Sequence, residues 1–133
     1  MLRPGRTHGQ MVDFYSLGAL FYELLVGYPP FYSRNKHQIY ENVLNSAVGF
    51  PDFVSPAARH LIEGLLIKNL DKRLGSRKGI SEMKDHAYFR DVNWELFLQK
   101  RAIAPIVPSI HVSNFDPEFI EMQPKFSLEM EAL

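Results

Sequence analysis

DFYSLGALFYELLVGYPPF, residues 13–31, is the stretch on which the fold turns. Its composition and the glycine and prolines that close it predict a helix from Val12 to Gly27, about four and a half turns at 3.6 residues each. The apolar residues fall on every side of that helix, and a helix apolar all round is one that other elements surround. It is expected at the centre of an assembly of helices. Gly27 is placed as a C-terminal cap, and Pro29 with Pro30 forbids continuation. The run carries two acids. Asp13 meets Ser16 and Leu17 at the next helical positions, and Glu23 meets Ala19, Leu20, Val26 and Gly27, so neither has a local cationic partner.

Working outward, Ile39, Tyr40, Val43 and Leu44 repeat at helical spacing and predict a surface helix over 35–46. The segment AVGFPDFV follows as an extended loop, with Phe50 and Phe53 expected to plug into the core. Ser55 caps a third helix with Pro56 at its first position, and Ala58, Leu61, Ile62, Leu65 and Leu66 form its inward face. LGSRKG, residues 74–79, reads as a Gly-bounded turn, with short helices at 80–86 and 94–100. Residues 1–10 read as an irregular lead-in without a signal-peptide core. Pro105, Pro108, Pro117 and Pro124 break periodicity in an extended tail over 103–133. No strand pattern of any length and no internal repeat occur. The fold class is all-α.

Composition narrows the function. With 133 residues, 46% of them apolar, the chain can bury a core. Fifteen basic residues balance fifteen acidic ones, so charge points to neither nucleic acid nor a membrane surface. The chain has no cysteine, which excludes a disulfide framework, a thiolate nucleophile and a Cys-based zinc site. The apolar run 14–26 is too short to span a bilayer and contains Glu23. Histidines 8, 37, 60, 86 and 111 never fall at the i, i+3 or i+4 spacing of a helical metal pair, and each reads as a surface or core-edge residue. No metal site is expected. The cytoplasm is the default compartment.

In order along the chain stand VDFYSLG, YELLVGYPPF, DKRLG, HAYF, PIVP and SNFDPEF. This set resembles the AGC family of serine/threonine protein kinases over essentially the whole chain. VDFYSLG is similar to the family's D-x-W-S-x-G helix, with Phe14 and Tyr15 where tryptophans are common. KNLDKRLG resembles the segment between the last long helices of the large lobe, and P-x-x-P followed by SNFDPEF resembles the AGC tail. The resemblance implies a partial large lobe of four to five helices around a central one over 1–89, and the AGC C-terminal tail over 90–133.

The same resemblance assigns roles. Asp13, otherwise an acid complementing the helix dipole, would hold the catalytic loop in shape through backbone N–H groups. Glu23, otherwise a solvated acid, would receive a substrate arginine in a charge-assisted pair. Arg73, otherwise a surface partner of Asp71, would be buried against the glutamate of the A-P-E triplet; left alone there it would cost on the order of 3–5 kcal/mol. Phe115, Asp116 and Phe119 form the tail segment that crosses the cleft in relatives, with Asp116 capping a turn begun by Pro117. Ser127 lies near the position of a turn-motif phosphoserine, although Leu128 replaces the usual proline and no F-x-x-F motif follows.

Missing from the sequence are the Gly-rich loop, the lysine over the phosphates, the H-R-D loop and the Asp of D-F-G. No catalytic residue is therefore assigned, and ATP and Mg belong to complete relatives and not to this chain. The leading expectation is a kinase fragment, inactive alone, whose complete form phosphorylates Ser/Thr of proteins near basic residues. The alternative is a non-catalytic module that presents the Glu23 face and the helix of residues 35–46 to basic peptides or a partner kinase, with a kinase small lobe as another partner. An unrelated all-helical structural domain is a third reading, and the ordered motifs disfavour it.

Overall fold

The computed structural model describes residues 9–109, 111 and 114–123. The chain divides after Trp94 into two compact units. The first holds α1 (Gln10–Val26), α2 (Lys36–Asn45), α3 (Pro56–Leu66), α4 (Ile80–Lys84) and a 3-10 turn at Ala87–Phe89. α5 (Trp94–Leu98) begins at the boundary, and the second unit also contains α6 (Pro117–Glu121). No strand occurs among the described residues, in keeping with an all-α partial large lobe.

Helix boundaries follow local chemistry. The Asn35 side chain accepts from His37 N at 2.9 Å to start α2, and Ser55 accepts from Ala58 N at 3.3 Å with Pro56 behind it to start α3. α1 ends where Gly27 takes φ 90°, which lets its N–H reach Glu23 O at 2.8 Å. α5 closes in the same left-handed way without a glycine: Lys100 sits at φ 57°, and Arg101 N reaches back to Leu96 O at 2.8 Å.

The first unit is built on α1 packed against α3. Phe14, Gly18 and Tyr22 recur every four residues along α1 and are its buried face. Opposite them lie Leu61, Ile62, Leu65 and Leu66, which with Ala58 are all buried, as the pattern of α3 predicts. Two clusters result. Phe14, Leu61, Leu65 and Met83 form one, with Leu74, Tyr88 and Phe89 against it; Tyr22, Phe31, Ile62 and Leu66 form the other, with Val43 and Phe50 against it. Gly18 permits the close approach, because a Cβ there would stand 2.7 Å from Leu65 Cβ.

Two expectations need correction, and the surface helix at 35–46 stands. α1 is not enclosed: Leu20, Leu24 and Leu25 are exposed, Leu24 by 73%. An all-round apolar pattern says that a helix is suited to enclosure, and the elements described here cover one side of it. Phe53 is 72% exposed; the turn after Pro51, closed by Val54 N on Pro51 O, buries Val54 instead. On α2, Val43 packs inward while Tyr40 and Leu44 stay exposed, so its apolar stripe is only partly used.

Candidate functional site

Glu23 occupies the last turn of α1, which contains no basic residue. Its side chain is exposed, and no basic side chain pairs with it among the described residues. A carboxylate at this end opposes the helix dipole, at a cost of roughly 0.3–1 kcal/mol. Helix stability therefore does not explain Glu23. Its neighbour Tyr22 is rigidly held: the ring is 3% exposed, packs on Tyr28 and Phe50 at centroid distances of 6.1 and 5.5 Å, and the hydroxyl donates to Gly49 O at 2.9 Å. Burial pushes the Tyr22 hydroxyl pKa up, with Tyr28 adding to the shift, so the phenol stays a donor at neutral pH. Glu23 is thus an unpaired charge on a fixed backbone.

Asp13 lies at the opposite end, exposed in the first turn of α1, where the dipole favours it. Ten residues of helix separate the two carboxylates by about 15 Å along the axis. That exceeds the separation of roughly 5–9.5 Å at which two carboxylates share general acid and base work. They are two independent positions.

Arg73 is 4% exposed and is not paired with Asp71. Its guanidinium donates to Ile67 O at 2.8 Å, to Lys68 O at 3.4 Å and to Met11 O, and lies 5.0 Å from the Tyr15 ring centroid. Burial lowers the Arg73 pKa, opposed by its interaction with Tyr15, and burial raises that of Tyr15, opposed by Arg73. Carbonyls and an aromatic face surround the guanidinium where the resemblance implied a carboxylate, so its donors are not left without acceptors. The Tyr15 hydroxyl is buried without a hydrogen-bond partner. By these contacts Arg73 ties the first turn of α1 to the loop after α3.

Glu82 was not singled out by the sequence reading. Its carboxylate accepts from Lys78 N at 3.0 Å and from Gly75 N, closing the 74–79 turn. Nor did spacing along one helix reveal that His60 and His86, 26 positions apart, meet. In the second unit Asp116 Oδ1 accepts from Glu118 N at 3.0 Å to cap α6, while Phe115 and Phe119 are exposed. Ser127 lies outside the described residues. Among the described residues no cluster of three or more potential metal ligands occurs, and no helix is long and apolar enough to cross a membrane.

A helix with Asp13 in its first turn closes at GYPP and packs on the helix that leads into DKRLG. The protein kinase domain model matches residues 2–89. The chain belongs to the protein kinase family. Over 128 residues this kinase segment is 41% identical to "Protein kinase 2" of Dictyostelium discoideum, covering 93% of the chain and 26% of that protein. Over 120 residues it is 42% identical to "Serine/threonine-protein kinase Sgk1" of Homo sapiens and 40% identical to that of Gallus gallus, covering 87% of the chain and 28% of each relative. The segment therefore spans about a quarter of the length of the curated relatives it matches. These matches support the AGC serine/threonine assignment and the partial large lobe.

Proposed function

We propose that this segment is the peptide-docking part of an AGC serine/threonine kinase large lobe, over 1–89, followed by the family's C-terminal tail, over 90–133. In the complete enzyme the γ-phosphate of ATP passes to Ser/Thr of proteins, with basic residues preferred beside the target. The observation that carries the reading is Glu23: an exposed, unpaired carboxylate held against the helix dipole on a backbone that Tyr22 fixes. Such a group recognises a guanidinium by a charge-assisted pair.

The remaining roles follow the same reading. Asp13 orients the catalytic loop, and Arg73 braces the first turn of α1. Phe115, Asp116 and Phe119 tether the tail, and Ser127 is a candidate phosphosite. ATP and magnesium bind in parts of the enzyme that this sequence does not carry, since the Gly-rich loop, H-R-D and D-F-G are absent from it. The segment alone is inactive, and the cytoplasm is its compartment. The deciding experiment pairs two measurements on the 133-residue chain: phosphoryl transfer to an arginine-containing peptide, expected at background, and binding of that peptide by fluorescence anisotropy. Binding that weakens in Glu23→Gln supports the docking role. Turnover above background refutes the fragment reading, and binding indifferent to Glu23→Gln refutes the specificity role.

The second reading, a non-catalytic module that docks basic peptides or a partner kinase or small lobe, draws on the same exposed carboxylate. It requires the isolated chain to melt cooperatively as a monomer and to retain peptide binding.

A further inference from the structure

His60 on α3 and His86, which caps the 3-10 turn, face each other with Nδ1 of His60 2.7 Å from Nε2 of His86. The ring planes differ by 18° and the centroids are 5.0 Å apart. That separation is close to the nitrogen–nitrogen distance plus one ring radius from each side, so the contact is edge to edge in nearly one plane. A single proton bridges it. Which ring supplies the proton follows from the other nitrogen of His86: Nδ1 accepts from Tyr88 N at 3.1 Å and must be bare. His86 therefore carries its proton on Nε2 and donates to a bare Nδ1 of His60.

We propose that His60 and His86 form an acid-sensitive latch, a doubly neutral imidazole pair that fastens the 3-10 turn to α3 and caps it, and that loses one of these two hydrogen bonds when the pair gains a proton. A proton added at His60 Nδ1 sets two N–H groups head to head. One added at His86 Nδ1 points at the Tyr88 N–H it must accept from. Each route destroys one of the two hydrogen bonds, and no carboxylate among the described residues forms an ion pair with either ring. Arg59 on α3 is occupied by the carbonyls of Val54 and Pro51, Lys84 on α4 lies over the Trp94 ring, and neither Glu63 of α3 nor Asp85 after α4 pairs with an imidazole. In agreement, the His86 pKa is lowered, by burial first and by the charge of His60 second.

The latch controls a defined piece of structure. Tyr88 and Phe89 stand 6.3 and 6.0 Å from the Phe21 ring of α1, and Phe89 lies 5.3 Å from Trp94. Trp94 is the chain's single tryptophan and so reports on this segment. Loss of either bond loosens the 3-10 turn and the environment of Trp94 while the α1–α3 packing persists.

The test is a pH titration of the 133-residue chain, reading imidazole nitrogen shifts by NMR, Trp94 fluorescence and far-ultraviolet circular dichroism together. Both rings are expected as Nε2–H tautomers at pH 7.5, with a Trp94 transition centred below the free-histidine value of 6.5 and helix content retained through it. His60→Asn, which keeps an acceptor without a titrating ring, should move the His86 midpoint upward. His86→Phe should abolish the Trp94 transition. The latch is overturned by a His86 Nδ1–H tautomer, by a His86 midpoint at or above 6.5, by a Trp94 signal flat to pH 5, or by loss of helix at the same midpoint.

Discussion

The tightest point of the molecule is Gly18, and Gly18→Ala measures whether α1 and α3 really touch backbone to side chain. Built on the observed backbone, the new Cβ stands 2.7 Å from Leu65 Cβ and 3.2 and 3.3 Å from two atoms of Leu66. Leu65 is wholly buried and its Cβ is fixed to the α3 backbone, so no rotamer change relieves the clash. The helices must separate, and overpacking of this kind costs about 1–3 kcal/mol. Against that, alanine in a helix interior is favoured over glycine by about 0.8–1.0 kcal/mol. The clash wins, with a net loss of up to about 2 kcal/mol, or on the order of 10 °C in melting temperature for a unit of this size. The control is Ser16→Ala on the exposed side of α1, where Ser16 Oγ only bonds back to Val12 O at 3.2 Å and a gain of a few tenths of a kcal/mol is expected. Chemical and thermal melts of both variants decide the matter. A Gly18→Ala protein more stable than wild type by the full propensity gain would refute the close approach, and with it the central packing.

Gly75→Ala should be worse than Gly18→Ala, on the order of 2–4 kcal/mol, because the residue sits at φ 93° and its Cβ would fall 2.5 Å from Phe14 Cε2. Arg73→Lys should cost about 2–4 kcal/mol in urea melts, since an ammonium cannot span the carbonyls of Ile67, Lys68 and Met11; a loss within 0.5 kcal/mol of zero would discredit the brace. Lys100→Gly should raise the stability of α5 by up to about 1 kcal/mol, visible as slower amide exchange at Arg101, because it relieves a left-handed backbone. With pH the direction follows from His86. Its folded pKa is depressed, so between that value and 6.5 the unfolded chain binds more protons. Stability contributed by the neutral form is complete above 6.5 and drains as pH falls, and His86→Phe should flatten that limb of a melting-temperature profile.

The sequence made α3 fully legible, since a serine cap, a proline at the first turn and five apolar residues at helical spacing all act within one helix. The Gly27 cap and the Asp116 cap were readable for the same reason. What it could not supply were facts that depend on a second element. Burial of α1 on one side only is set by which neighbours are present, and apolar residues at Leu20 and Leu24 record fitness for contact without saying whether contact is made. Phe53 was misread because Phe50 and Phe53 share composition and differ only in the direction the chain takes after Pro51. The surroundings of Arg73 belong to the same class: that carbonyls of a loop serve its guanidinium is invisible until that loop is folded.

These contrasts separate the two carboxylates from which the reading began. Asp13 sits where helix electrostatics alone favours an acid, so its presence needs no function, and replacing it by Asn should cost stability of roughly 0.3–1 kcal/mol. Glu23 sits where the same electrostatics opposes one, so Glu23→Gln should leave the fold as stable or slightly more stable while weakening any arginine-peptide contact. A group at such a position, neither buried nor paired among the described residues, is what the proposed basic ligand would explain. If Glu23→Gln instead lowers the melting temperature, the carboxylate is serving the helix in a way its position does not explain, and the case for a basic ligand at this end of α1 loses its premise.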